Sequence, residues 1–280
     1  METLVLIDGH NLLFKMFFGM PSTIKNQNGK CIHAVLGFTS AVLKIIRALE
    51  ANYILIVFDS EESSDRNLIN PAYKQNRVDY SLVCEDENPF SQYPEIISVL
   101  KYLKLPFFEA RGVEADDVIC DYTGIKNLKK IIVSNDSDFL QLVNADTVLY
   151  KYNGDASMFF NEEKVKEKYL ISPCFFADFK ALCGDASDNV KGVPKVGKVT
   201  AAKLINEFGG VMDIIKNADN IKSQTLKEAI KEHQELILNN LKVVRLEAKD
   251  ARPFLVEELA FNPIIKGLRA TDILKTLKIF

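Results

Sequence analysis

Hydrophobic and polar positions along this chain follow two periods in turn. Short apolar runs rich in β-branched residues (LVLID, YILIVFD, PFFEA, KKIIVSND and TVLYKY) are separated by longer stretches with helical spacing, LGFTSAVLKIIRALE, YPEIISVLKYLK and EADDVICDYTG. Strands alternating with helices predict βαβ crossovers, hence an α/β core over about residues 1–160 with a mostly parallel sheet flanked by helices. Between Asp59 and Pro94 the period is lost in a polar segment with two prolines, which predicts a long excursion over about 60–93. From Asn161 to Phe280 the pattern is mainly helical. In TLKEAIKEHQELILNNLKVVRL, Leu226, Ile230, Ile237, Leu241 and Val244 follow one helical face, read as core rather than as a partner surface.

The candidate chemistry stands where the apolar runs stop. LVLID ends at Asp8, ILIVFD at Asp59, and IIVSNDSD at Asp136 and Asp138. Glu114, Asp116 and Asp117 lie together in GVEADDVI, and Asp185 and Asp188 in GDASDN, making nine carboxylates in five motifs. Open α/β sheets bind ligands at the carboxyl edge of their strands, and clustered like charges need cations to stay ionised together, so a metal-dependent hydrolase is expected. Capping of a helix N-terminus would account for some acids in EADD, and a simple turn for DSD, but three acids within four residues exceed what a cap requires. A calcium loop does not fit, since no glycine and glutamate follow Asp136 at the sixth and twelfth positions.

KALCGDASDNVKGVPKVGKVTAAKLI is the most distinctive stretch, with Gly184, Gly192 and Gly197 around Pro194. It predicts a helix, a tight hairpin and a second helix over about 180–208. Such a turn points backbone N–H groups and a helix N-terminus outward, which suits a phosphate and ignores base sequence. Lys195 and Lys198 add charge beside it.

Composition changes this picture little. A chain of 280 residues with 48% hydrophobic content has ample material for a core. Its formal net charge of −3 argues against strong overall attraction to nucleic acid, although cations masking nine acids would leave the remaining surface basic. Cys31, Cys84, Cys120, Cys174 and Cys183 are odd in number and dispersed, and three histidines are scattered, so neither a disulfide framework nor a zinc site is expected. No stretch approaches a membrane span, and a cytoplasmic protein is expected.

Seven ordered motifs, LVLIDGHNLLFKMFF, GFTSAVLKII, VFDS, PAYKQNR, GVEADDVI, SNDSDFLQLV and GDASDNVKGVPKVGKVTAAKL, together resemble the 5′-nuclease superfamily over nearly the whole chain. That superfamily comprises the flap endonucleases and the N-terminal 5′→3′ exonuclease domain of bacterial DNA polymerase I. The resemblance implies a PIN-like nuclease core, a helical arch, and an α-helical C-terminal region (161–280) with a helix-three-turn-helix DNA-binding motif. It implies a first metal group of Asp8, Asp59, Glu114 and Asp116, and a second group with its supporting shell of Asp117, Asp136, Asp138, Asp185 and Asp188. Lys74 and Arg77 of PAYKQNR match the basic pair that faces the scissile phosphate, and Tyr73 the neighbouring aromatic that stacks on a base. Lys195, Val196, Gly197, Lys198, Val199 and Thr200 match the contact with duplex DNA. A potassium ion is implied at the main-chain carbonyls of Leu182, Cys183, Lys191, Val193 and Val196, with Lys191 standing where relatives have proline. The acidic stretch after Arg77 lacks the usual proline pair, so a differently shaped gateway is expected.

The implied function is a structure-specific 5′-nuclease, exonuclease or flap endonuclease, in DNA replication and repair. Two Mg²⁺ ions, replaceable by Mn²⁺, would serve hydrolysis of DNA phosphodiesters. The expected partner is DNA with a 5′ end or flap, the expected state a monomer at the nucleoid, with no membrane contact. The chief alternative is a structure-specific flap-binding protein with little or no nuclease activity. A related ribonuclease would leave the hairpin unexplained, and an aspartyl phosphotransferase would need an Asp-x-Asp at the end of the first strand, which LVLIDGHN lacks.

Overall fold

The structure, a computed structural model, describes residues 1–59 and 66–280. Six strands, β1 (Glu2–Asp8), β2 (Tyr53–Phe58), β3 (Phe107–Glu109), β4 (Leu128–Val133), β5 (Thr147–Lys151) and β6 (Met158–Phe160), form one sheet in the order β3-β2-β1-β4-β5-β6. The first five are parallel, and β6 pairs antiparallel with β5 at the edge. Helices α1 (Gly9–Gly19), α2 (His33–Ala48), α3 (Arg66–Ile69), α4 (Tyr93–Leu103) and α5 (Ala115–Thr123) belong to the first half. The second half contains α6 (Glu162–Tyr169), α7 (Phe176–Cys183), the two-residue strands β7 (Gly184–Asp185) and β8 (Val190–Lys191), α8 (Lys198–Phe208), α9 (Val211–Lys216), α10 (Gln224–Glu232), α11 (Gln234–Val244) and α12 (Ala270–Thr276).

β1 is apolar without alternation because both faces of the sheet are covered. Leu4 and Leu6 join a cluster with α5, α7, α8 and α11, whereas Val5 and Ile7 join α1, α2, α4 and α12. The helical region therefore shares its core with one face of the sheet, and α12 returns to pack on α2 at the other.

Three details differ from the sequence pattern. β6 has no counterpart among the apolar runs read from the sequence, and it closes the sheet as an antiparallel edge strand. The expected helical face over 225–246 belongs to two helices broken at His233, yet Ile230, Ile237, Leu241 and Val244 are buried as expected, and Leu226 is half-buried. Within the arch segment, residues 60–65 lie outside the described residues. Its described part has no helix longer than four residues before Tyr93, only α3 and three short 3-10 turns, Tyr80–Leu82, Glu85–Glu87 and Pro89–Gln92. Pro71, Pro89 and the acidic run Glu85–Glu87 give a helix neither periodicity nor an unbroken backbone ladder there.

Candidate active site

β1 lies between β2 and β4, so the chain winds outward from it in both directions, and a crevice opens at the carboxyl ends of such neighbouring strands. Asp8 closes β1, Asp59 follows β2 and Asp136 follows β4. Each also has a local reason for its place. The Asp8 carboxylate accepts the Asn11 N–H at 3.0 Å, capping α1, and the Ser134 hydroxyl at 2.8 Å. Asp59 accepts the Ala115 N–H at 2.7 Å, so the first turn of α5 is capped from another strand end and not by its own acids. The Asp59 N–H in turn donates to His10 Nδ1 at 3.2 Å.

Asp8, Asp59, Asp116 and Asp136 line one wall of a cleft of about 930 Å³, which is also bordered by Lys74, Arg77, Phe14, Tyr80 and Phe90. Burial, with the charges of Asp59 and Asp136, pushes the Asp8 carboxyl up to about 7. Burial and the charges of Asp8, Asp136 and Asp59 raise Asp116 well above the usual carboxylate range. These are acids that a cation would let ionise.

A second group follows directly. Asp138, Asp185 and Asp188 bring ligand oxygens within 4.8 Å of one another, and such a set of hard oxygen donors could hold a metal ion. The Lys180 ammonium lies against Asp138 and Asp185, and Arg77 donates to Asp188 at 3.0 Å. Burial opposes ionisation of Asp185, yet Lys180 and Ser187 hold its carboxyl below the ordinary range.

Glu114 and Asp117 meet cations of the chain itself. Arg66, only 6% exposed, donates to Glu114 and, at 2.7 Å, to Asp117. Lys74 donates to Glu114 at 2.8 Å, and Lys249 lies 3.8 Å from Asp117. Asp136, implied for the second group, lines the same cleft as Asp8, Asp59 and Asp116. Asp136 stands with Asp8 and Asp116, because Asp138 begins a 3-10 turn (Asp138–Leu142) and the two acids of DSD diverge. Tyr73, implied as a stacking aromatic, is 5% exposed, and the Lys74 ammonium sits 4.8 Å from its ring centre.

The predicted hairpin is present as α7, β7, β8 and α8. Gly184 has φ +77, and a methyl on Gly192 would collide with the Cys183 carbonyl, so the two backbones meet more closely than side chains allow. Val193 and Val196 are buried beneath the turn, while Lys195, Lys198 and Val199 are exposed and Thr200 is half-buried. Gly197 precedes α8 without a side-chain cap. Of the carbonyls implied for potassium, Leu182 accepts the Val193 N–H at 2.8 Å, Val193 the Val196 N–H at 3.0 Å, and Lys191 the Asn240 amide at 2.7 Å.

Sequence reasoning missed Lys180, Ser134, Asn11 and Lys249. A lysine within a short helix reads as solvated, and Ser134 and Asn11 carry no spacing signal. Only their adjacency to strand-end aspartates could have marked the last two.

Similarity to known proteins reaches the family and the fold. Residues 3–170 match the family described as 5′-3′ exonuclease, N-terminal resolvase-like domain, and residues 171–266 its C-terminal SAM fold. A 5′-3′ exonuclease of Buchnera aphidicola subsp. Acyrthosiphon pisum is 34% identical over 258 residues, covering 87% of this chain and 86% of that protein. DNA polymerase I of Bacillus caldotenax is 30% identical over 93% of this chain, which spans 30% of the polymerase's length. Among solved structures, a bacteriophage T5 5′-exonuclease with bound zinc ions superposes with a TM-score of 0.72 at 24% identity, over 98% of this chain and 99% of that one. A T5 flap endonuclease in a pseudo-enzyme-product complex with DNA and metal ions gives 0.73 at 23%, over 99% and 100%.

Proposed function

Because the chain belongs to the 5′-3′ exonuclease family, we propose that it is a structure-specific 5′-nuclease, a 5′→3′ exonuclease or 5′-flap endonuclease acting in DNA replication and repair. The observation that supports this most is a cleft with four converging carboxylates on one wall and Lys74 and Arg77 bordering the same space.

The residues fit divalent cations. Asp8, Asp59, Asp116 and Asp136 would hold one Mg²⁺, and Asp138, Asp185 and Asp188 a second, with Mn²⁺ able to replace either. Glu114 and Asp117 contribute to this centre by holding Lys74, Arg66 and Lys249 beside it. Bound there, the ions supply an activated water and charge neutralisation for in-line attack on a phosphodiester. Lys74, anchored by Glu114 and Tyr73, presents its ammonium to the phosphate, and Arg77 adds a second donor. Burial opposes the charge on Lys74, but Tyr73, Glu114 and Asp116 raise its pKa, so it stays protonated at neutral pH. Lys195 to Thr200 grip duplex backbone without reading bases, which makes substrate choice a matter of shape. K⁺ binds at the hairpin carbonyls through lone pairs left over from the internal hydrogen bonds.

Residues 1–160 then form the nuclease core of a monomer working at the nucleoid, and 161–280 the duplex-binding region, which also lends Asp185 and Asp188 to the cutting site. Among the described residues no helix is long and apolar enough to cross a membrane.

A 5′-flap duplex labelled at each end, incubated with Mg²⁺ or with chelator, tests the reading. Wild type should give a magnesium-dependent product, and Asp136→Ala should lower its rate at least about 100-fold with duplex affinity retained. Binding without magnesium-dependent cleavage in the wild type would make the protein a flap-binding module instead.

A further inference from the structure

Two loops of the proposed centre, residues 72–77 and 185–189, are tied together by reciprocal hydrogen bonds. The Asn76 amide donates to the Ala186 carbonyl at 3.1 Å and the Ser187 carbonyl at 3.4 Å, while the Asn189 amide donates back to the Ala72 carbonyl at 2.8 Å. Between them the Lys74 N–H donates to the Asp188 carbonyl at 3.1 Å, and Arg77 to the Asp188 carboxylate at 3.0 Å. Lys74 and Asn189 both take φ +57, a conformation that non-glycine residues hold only when their surroundings impose it. One loop carries the two cations bordering the cleft, and the other carries Asp185 and Asp188 and runs on into the duplex-binding hairpin.

We propose that Asn76 and Asn189 are positioning residues, a clasp that holds the Lys74 turn in register with the acidic loop. The clasp rests on the nuclease reading given above. It joins parts of the chain more than 100 positions apart, so it cannot serve local turn geometry alone. Asn76 is also exposed, so removing its amide opens no cavity in the core. Losing either amide removes hydrogen bonds that impose the left-handed conformation of the Lys74 turn, which frees that turn for part of the time.

Asn76→Ala and Asn189→Gly test this, glycine being chosen because it accepts the positive φ while removing the amide. In full-length protein with chelator, hydrogen exchange at the Lys74 amide should accelerate about tenfold in either variant, with the melting temperature within about 2 °C of wild type. With Mg²⁺, single-turnover cleavage should fall about tenfold at unchanged duplex affinity, and Asn76→Ala should add nothing in a Lys74→Ala background. Unchanged Lys74 exchange would overturn the clasp itself. A full further loss in the Lys74→Ala background would show that Asn76 does not act through Lys74. If Lys74→Ala alone cleaved normally, the catalytic reading of Lys74 would fall and the positioning role with it, whereas the exchange result would still judge the clasp.

Discussion

Asp8 and Asp116 are carboxyls that the fold would rather keep protonated. Asp8 titrates at about 7 against an ordinary 3.8, chiefly through burial, so between those values the native state holds a proton that the unfolded chain has released. Stability of metal-free protein must then fall as pH rises through that window, and Asp116, raised for the same reason, adds in the same direction. In chelator the melting temperature should decline by several degrees between about pH 5 and pH 7.5, at roughly 2–4 °C per kcal/mol for a protein of this size. Asp8→Asn should flatten the profile and raise the melting temperature at its upper end. Scanning calorimetry of both proteins decides the matter, and a wild-type profile that rises over this range would contradict it. Asp8 was legible in the sequence because a buried apolar strand need not end in an aspartate, and Asp116 because three acids within four residues exceed what a helix cap requires. Lys180 was not, since nothing in KALCGD distinguishes a lysine against two carboxylates from one in water.

At the scale of elements, the sheet and the hairpin were readable for different reasons. The strands announced themselves by unbroken apolar runs, which only a doubly covered sheet requires. The hairpin did so by glycines whose need the structure explains, since the backbone at Gly192 passes against Cys183 with no room for a side chain. Gly192→Ala should therefore push α7 and α8 apart and lower duplex affinity at least about tenfold, while Gly267→Ala, where nothing lies near and φ is not positive, should leave affinity unchanged. Fluorescence anisotropy with a labelled duplex measures both, and equal affinities would mean that the hairpin is not the grip. The break at His233 and the strand Met158–Phe160 escaped reading, because neither has a glycine or a proline to mark it.

For the molecule as a whole, the unfavourable gathering of acids is the counterpart of ligand binding. Whatever binds the native acids and not the unfolded chain stabilises the fold by mass action, by about 2.7 kcal/mol at a free concentration 100 times the dissociation constant. Raising Mg²⁺ at neutral pH should lift the melting temperature, and Asp185→Asn combined with Asp188→Asn should reduce that lift. An indifferent wild-type melting curve would argue that no ion is held. Asp136 and Asp138 are two residues apart, yet Asp136 lines the cleft with Asp8 while Asp138 lies beside Asp185 and Asp188, a placement that sequence order does not display. Finally, α7, α8 and α11 share one continuous apolar core with the underside of β1 and β2. Such a core fixes distance. Under the proposed function the hairpin and the strand-end acids would be held at one separation, so the protein would act as a ruler, and the bond cut would lie at a constant offset from the point where pairing ends, whatever the length of the strand beyond.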